Sequence, residues 1–179
     1  MSAPEVEWVL DQLGSVVDSV ATDYTLQNGD SVELKRVDRD ESRVYEGSQT
    51  LDMSTPIRDR EGELQDAAYV GARLADVASD PVGTEYDHAR EAVVGLRLEG
   101  LHHGKYGHVD PDGDEGVPWE ELKQRVRNAL LAQRTWPNAG RTDVSYTDLR
   151  LTNEAPQSAQ YGDYYRWDVD VLFNGFEDI

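Results

Sequence analysis

The stretch PWEELKQRVRNALLAQRTWPNAG (residues 118–140), read together with DVSYTDLRL (143–151) and YYRWDVDVLF (164–173), decides the fold class. In the first piece Trp119, Leu122, Val126, Ala129 and Leu130 recur at intervals of three and four, which places them on one face of a helix running from Pro118 to about Arg134. Pro118 suits a first helical turn, Glu120 and Glu121 suit the positive end and Arg134 the negative end. Glu121 and Arg125 have the order of an i,i+4 ion pair. Trp-Pro-Asn-Ala-Gly, Trp136 to Gly140, then stops the helix. In the other two pieces the period changes to two. Val144 and Tyr146 alternate with polar residues, and Leu149 and Leu151 resume the alternation after a bulge. Tyr165, Trp167, Val169, Val171 and Phe173 alternate with Arg166, Asp168 and Asp170. A one-faced helix beside one-faced strands predicts a helix covering one side of an antiparallel sheet.

Upstream, Ser2 and Glu5 have the spacing of a capping box, with Pro4 in the first turn. Val6, Val9, Leu10, Leu13, Val16, Val17 and Val20 trace a helical stripe to about Ala21, which faces a core or, in part, a neighbouring subunit. Gln27-Asn28-Gly29-Asp30 marks a turn, and Val32 and Leu34 alternate with Glu33 and Lys35 as a short strand. From Arg36 to Asp66 the chain is polar and irregular. It holds two weak extended pieces, Arg43 to Tyr45 and Gln49 to Leu51, and an exposed charged run from Arg58 to Glu63. A loop of this length predicts a partner contact or mobility. Ala68 to Val77 reads as strand, Asp80-Pro81-Val82-Gly83 as a turn, and Ala92 to Leu101 as strand with Val94, Leu96 and Leu98 on one side. His102 to Val117 is a second loop, rich in glycine and aspartate, and Pro156 to Gly162 joins the last two strands. Residues 1–179 therefore read as one α+β domain, with a mostly antiparallel sheet, an N-terminal helix and a second helix packed on one face, and long polar loops at about 36–66 and 102–117.

Composition narrows the function classes. The net charge is -19 and the pI is near 4.4, and only Lys35, Lys105 and Lys123 among the 17 basic residues are lysines. Acids spread over every segment, with few lysines, suit a protein from a very salty cytoplasm. Molar salt shortens the Debye length to about 3 Å and screens the self-repulsion. Sequence-independent binding to DNA or to an anionic membrane needs a basic footprint that this chain lacks overall. The absence of cysteine excludes disulfides, thiolate metal sites and a cysteine nucleophile. No apolar run reaches transmembrane length and no basic-then-apolar leader precedes the first helix, which predicts a soluble protein made in the cytoplasm.

Three local patterns are candidate sites. Asp110, Asp112, Asp114 and Glu121 match positions 1, 3, 5 and 12 of a calcium-binding EF-hand loop, although Glu115 stands where the sharp turn needs glycine. A solvated loop is the other reading. His102, His103 and His108, with His88 farther back, are a potential zinc set, but adjacent residues of a strand point to opposite faces. Tyr161, Tyr164, Tyr165 and Trp167 form an aromatic cluster without interleaved basic residues, which fits sheet packing or a subunit interface better than base stacking. No G-x-S-x-G, Walker, H-E-x-x-H or G-x-G-x-x-G motif occurs, so no catalytic, cofactor or metal residue is assigned and the chain is not read as an enzyme.

The order and texture of these elements resemble the tail terminator, or tail completion, proteins of long-tailed viruses. Those are small α+β subunits with an N-terminal helix, a sheet and a helix laid across it. The residues that carry the likeness are Ala92-Val93-Val94-Gly95-Leu96-Arg97-Leu98, the helix from Trp119 to Arg134, and the strand Tyr164-Tyr165-Arg166-Trp167-Asp168-Val169-Asp170-Val171. With the first helix, it spans most of the chain. The resemblance implies a structural protein of the virion neck or tail, made in the host cytoplasm. Its partners would be its own copies in a hexameric ring, the tail tube protein whose polymerisation it halts, and the head-tail connector protein. DNA would pass through the ring without sequence-specific contact, repelled by an acidic lumen, and no membrane or cofactor is implied. With this resemblance, the acidic composition would make the host a halophilic archaeon and the virus a haloarchaeal tailed virus. The alternatives are another neck or tail ring component, such as a head-tail connector or tube subunit, and a calcium-binding interaction module built on the Asp110 loop.

Overall fold

The computed structural model describes residues 3–47, 49–82, 84–132, 136, 144–156 and 162–178. Six strands form one mixed sheet: β1 (Leu34–Asp38), β2 (Arg43–Val44), β3 (Ala68–Val82), β4 (Thr84–Leu101), β5 (Val144–Pro156) and β6 (Tyr164–Asp178), in the order β2-β1-β3-β4-β6-β5. Every pairing is antiparallel except β1 with β3, so the fold is α+β as the sequence predicts. The expected bulge lies in β5, between Tyr146 and Asp148.

One face of the sheet is covered by α1 (Pro4–Gln12), α2 (Gly14–Asp23) and α4 (Trp119–Leu131). Val6, Val9, Leu10, Leu13, Val16 and Val20 from the first two helices meet Leu122, Val126 and Leu130 of α4. Beneath them lie Val70, Ala72, Val94, Leu96, Val169, Val171 and Phe173 of the sheet. The alternation that marks β4 and β6 as strands is thus the alternation that fills this core. Glu121 and Arg125 form the expected ion pair at 3.0 Å.

The first helix differs from its expectation in one respect. The stripe from Val6 to Val20 is shared by two helices that part at Leu13 and Gly14, where Arg36 Nη1 donates to the Leu10 carbonyl at 2.9 Å. A cation that caps the last turn of α1, followed by glycine, ends one helix and lets the next begin. Ala3 is the N-cap and carries no side-chain cap, while Ser2 of the expected capping box lies outside the described residues. Arg134 and residues 137–140, expected to end α4, and Tyr161 also lie outside them.

The segment read as a long polar loop, 36–66, is instead the second layer of the fold, and the extended piece expected from Arg43 to Tyr45 falls on β2. It starts inside β1, forms β2, and continues into a 3-10 turn (Ile57–Arg60) and α3 (Glu61–Asp66). Val37, Val44, Leu51, Met53, Ile57 and Leu64 are buried with Ala67, Tyr69 and Leu101, so this segment closes the second face of the sheet at one end. Its charged run is not all exposed, because Arg60 turns inward against the sheet. The Asp80-Pro81-Val82-Gly83 turn is also corrected. β3 runs on to Val82 and pairs with β4 down to Val82 and Thr84, and β4 begins eight residues before Ala92. Pro81 is tolerated there because β1 pairs only with residues 68–72, leaving the far half of β3 as an edge.

Candidate functional site

The three patterns singled out in the sequence fall in different places. Asp110 is buried, but its carboxylate is turned into its own loop, where it accepts the N–H groups of Asp112 (3.0 Å), Asp114 (3.1 Å) and Glu115 (2.9 Å). Burial alone would raise its pKa. The three backbone donors and His103 outweigh that and hold it below the ordinary carboxylate range. Glu121, at the calcium-binding end of the motif, pairs with Arg125 instead. Oxygens engaged with backbone amides and guanidinium do not converge on a cation.

The histidines do not converge either. His102 Nδ1 accepts the Gly104 N–H, and His103 sits 2.9 Å from Glu115 and 3.5 Å from Asp110. His108 is a buried strut, accepting the Glu33 N–H at Nδ1 and donating from Nε2 to the Gln65 carbonyl, both at 3.0 Å. Burial lowers its pKa, against the raising effect of the Gln65 carbonyl and nearby acids. His88 contacts Ser79 Oγ at 3.1 Å. Among the described residues no group of three or more His, Asp or Glu is placed to hold a metal ion. The aromatic cluster divides by face: Trp167 and Tyr165 pack in the main core and Tyr164 against the second one.

Beside His103 and Glu115 lies an open cleft of about 440 Å³, lined also by Leu26, Gln65 and Tyr106. Tyr106 is 78% exposed and takes a left-handed backbone conformation at φ 65°.

A site that sequence reading missed lies on the second face of the sheet. The strand register sets the face in rows. The first row beyond the apolar cluster is Glu99, buried and paired with buried Arg60 at 2.9 and 2.7 Å. The next holds Arg97, which donates to Asp168 (2.8 Å) and to the Met53 carbonyl (3.1 Å), while Arg166 reaches the other oxygen of Asp168 at 3.0 Å. Arg39 and Arg73 follow. Arg39 lies over Gly71, where an added Cβ would meet its Cγ at 2.7 Å, and Arg73 lies over Gly95. These two glycines leave the room that lets arginine stems lie flat on the sheet. Burial and the charges of Arg97 and Arg73 lower the Arg39 pKa to about 10. Past this row the face is bare. Val93, Leu172, Glu91, Asn174 and Ala89 are partly or fully exposed, and Phe176 is 51% exposed.

On the helix side of the same end, a polar network ties the layers together. Arg90 donates to Tyr146 Oη (2.8 Å), Glu177 (3.2 Å) and Glu5 (3.3 Å), and Tyr146 donates to Glu5 (2.8 Å). Ser79 also donates to Glu177. Burial and Glu5 push the Tyr146 pKa up to about 12, against the opposing effect of Arg90, so the phenol stays a donor. Ser79 gives its proton to a carboxylate already committed to Arg90, which makes the group a tie and not an activated nucleophile.

No family model and no curated protein matches this sequence.

Proposed function

We propose that this chain is a structural subunit of a virion neck or tail, a tail terminator of a haloarchaeal tailed virus. In this reading it assembles into a single ring, caps the tail tube and meets the head connector. The observation that carries the reading is the sheet that outgrows its covering layers. The far half of β3, residues 75–82, runs beyond the reach of β1, pairs with β4 on one side only and is exposed. Among the described residues the outer edge of β5, thirteen residues long, has no strand partner, nor has the outer edge of β3 beyond Ala72. Unpaired edges invite strand addition, and proteins blunt them unless they use them. Two such edges at different places on one molecule suit a head-to-tail contact repeated around a closed ring.

The chemistry points the same way. Buried Arg60, Glu99, His108, Asp110 and Glu177 are spent on internal ties, and the polar clusters described above have the form of struts. A head-tail connector or a tube subunit shares ring assembly and is the second reading. Electron microscopy of the assembled protein separates them: a terminator stops at one ring, alone or on tail tubes, whereas a tube subunit stacks identical rings.

A further inference from the structure

The turn between β1 and β2, residues 39–42, covers the inner end of the free β3 edge. The Arg39 N–H donates to the Ala72 carbonyl at 2.9 Å, and the Asp40 carboxylate accepts the Leu74 N–H at 3.1 Å. These are the first edge groups where the ladder with β1 ends, at Ala72. A turn that occupies edge groups in this way blunts the edge against strand addition. Yet the same turn is built on unfavourable choices. Asp38, at its base, is fully buried. Its Oδ1 accepts the Asp40 and Glu41 N–H groups at 3.1 and 3.3 Å, while its Oδ2 is sealed from solvent without a hydrogen-bond partner. Burial raises the Asp38 pKa against these two donors, and the charges of Glu41 and Asp40 add to the rise. Ser42, at the other end of the turn, takes a left-handed backbone conformation at φ 52°, which side chains seldom adopt. Both costs belong to the closed turn and are relieved when it opens to water.

We propose that residues 39–42 are an autoinhibitory clasp, which when closed stops an incoming strand at Leu74 and when open frees β3 from Ala72 to Val82 to pair with the β5 edge of a second copy of this chain. With the clasp closed, the free stretch of β3 starts beyond Leu74 and soon meets Pro81, which has no N–H to donate. That stretch is short for an added strand, and opening lengthens it. The occupant follows from the sheet. Strands β4 and β6 are paired on both sides, and β2 is bridged at Arg43 to Thr50. Among the described residues this leaves the outer edge of β5 as the other long open edge. The inference rests on the ring reading for its context, but the clasp is measured without it.

The test is hydrogen exchange at the Leu74 amide, with sedimentation velocity, in molar KCl on three proteins: wild type, Asp40→Ala and Asp38→Asn. Asp40→Ala removes the acceptor that holds Leu74. Its Leu74 amide should exchange about tenfold faster than in wild type, while the Val94 amide inside the ladder keeps its rate. This variant should associate at lower protein concentration. Asp38→Asn removes the buried charge at nearly constant shape, so Leu74 exchange should slow and association should need more protein. A general loss of folding cannot move the two variants in opposite directions. Cross-linking reads the occupant, and it is clean in a chain without cysteine. In the Asp40→Ala background a flexible bismaleimide should join Ala78→Cys of one copy to Arg150→Cys of another. Leu74 exchange that is equal in all three proteins, or association that does not follow it, overturns the clasp and leaves the ring reading standing. Association that follows the clasp but ends in dimers or open chains supports the clasp and removes the ring. Copies of Ala78→Cys that join only to one another overturn the proposed occupant.

Discussion

At the scale of single residues, the buried ion pair of Arg60 and Glu99 shows how this chain uses charge inside a sandwich of layers. Both side chains are nearly fully buried and make two parallel bonds. Removing one partner strands a charge, so Glu99→Ala should lower stability by about 3–5 kcal/mol, whereas Arg60→Met combined with Glu99→Leu should be close to neutral. Urea unfolding in molar KCl measures both, and equal losses would contradict the pairing. His108 makes a different prediction. Its neutral ring accepts one N–H and donates one, and burial lowers its pKa. The contribution it makes is present above the unfolded histidine pKa of about 6.5 and is lost as pH falls through the folded value. The stability gap between wild type and His108→Gln should therefore narrow on going from pH 8 to pH 5. A gap that stays constant would mean that the ring does not titrate out of its strut.

At the scale of elements, loops and bulges do as much as strands to set the geometry. Asp110 satisfies three backbone donors of the 102–117 loop, so Asp110→Ala should destabilise the protein by about 1–3 kcal/mol. Millimolar calcium should leave the wild-type melting temperature where it is, because the carboxylate already faces its own amides; a calcium-dependent rise would revive the cation-site reading. At the β5–β6 junction, a Cβ added to Gly175 would meet the Tyr146 Cα at 2.5 Å and press on the Ser145 carbonyl. Gly175→Ala should lower stability by about 1–3 kcal/mol and loosen β5 at its bulge, seen as faster amide exchange from Val144 to Leu149. Strands β4 and β6 are legible in the sequence because one of their faces is buried along its length and the alternation is unbroken. The 39–66 layer is not legible. Val44, Leu51, Met53, Ile57 and Leu64 reach the second core from irregular backbone, so their spacing carries no period.

At the scale of the whole molecule, the α+β class and the helix layer follow from periodicity, while the second layer and the arginine row follow from register. Arg39, Arg73, Arg97 and Arg166 come from four segments and meet only because β3, β4 and β6 pair as they do. The Asp110 motif shows the converse, a linear pattern whose oxygens turn elsewhere once folded. The charge of -19 also belongs to this scale. Raising KCl from a tenth molar to several molar should raise the melting temperature, since screening removes self-repulsion that the paired core must otherwise resist. The most direct test of the account is mass by light scattering in molar KCl, followed by electron microscopy with and without tail tubes. The account predicts one discrete ring, free in solution or formed on the tube end. A chain that remains monomeric and ignores tail tubes would contradict it.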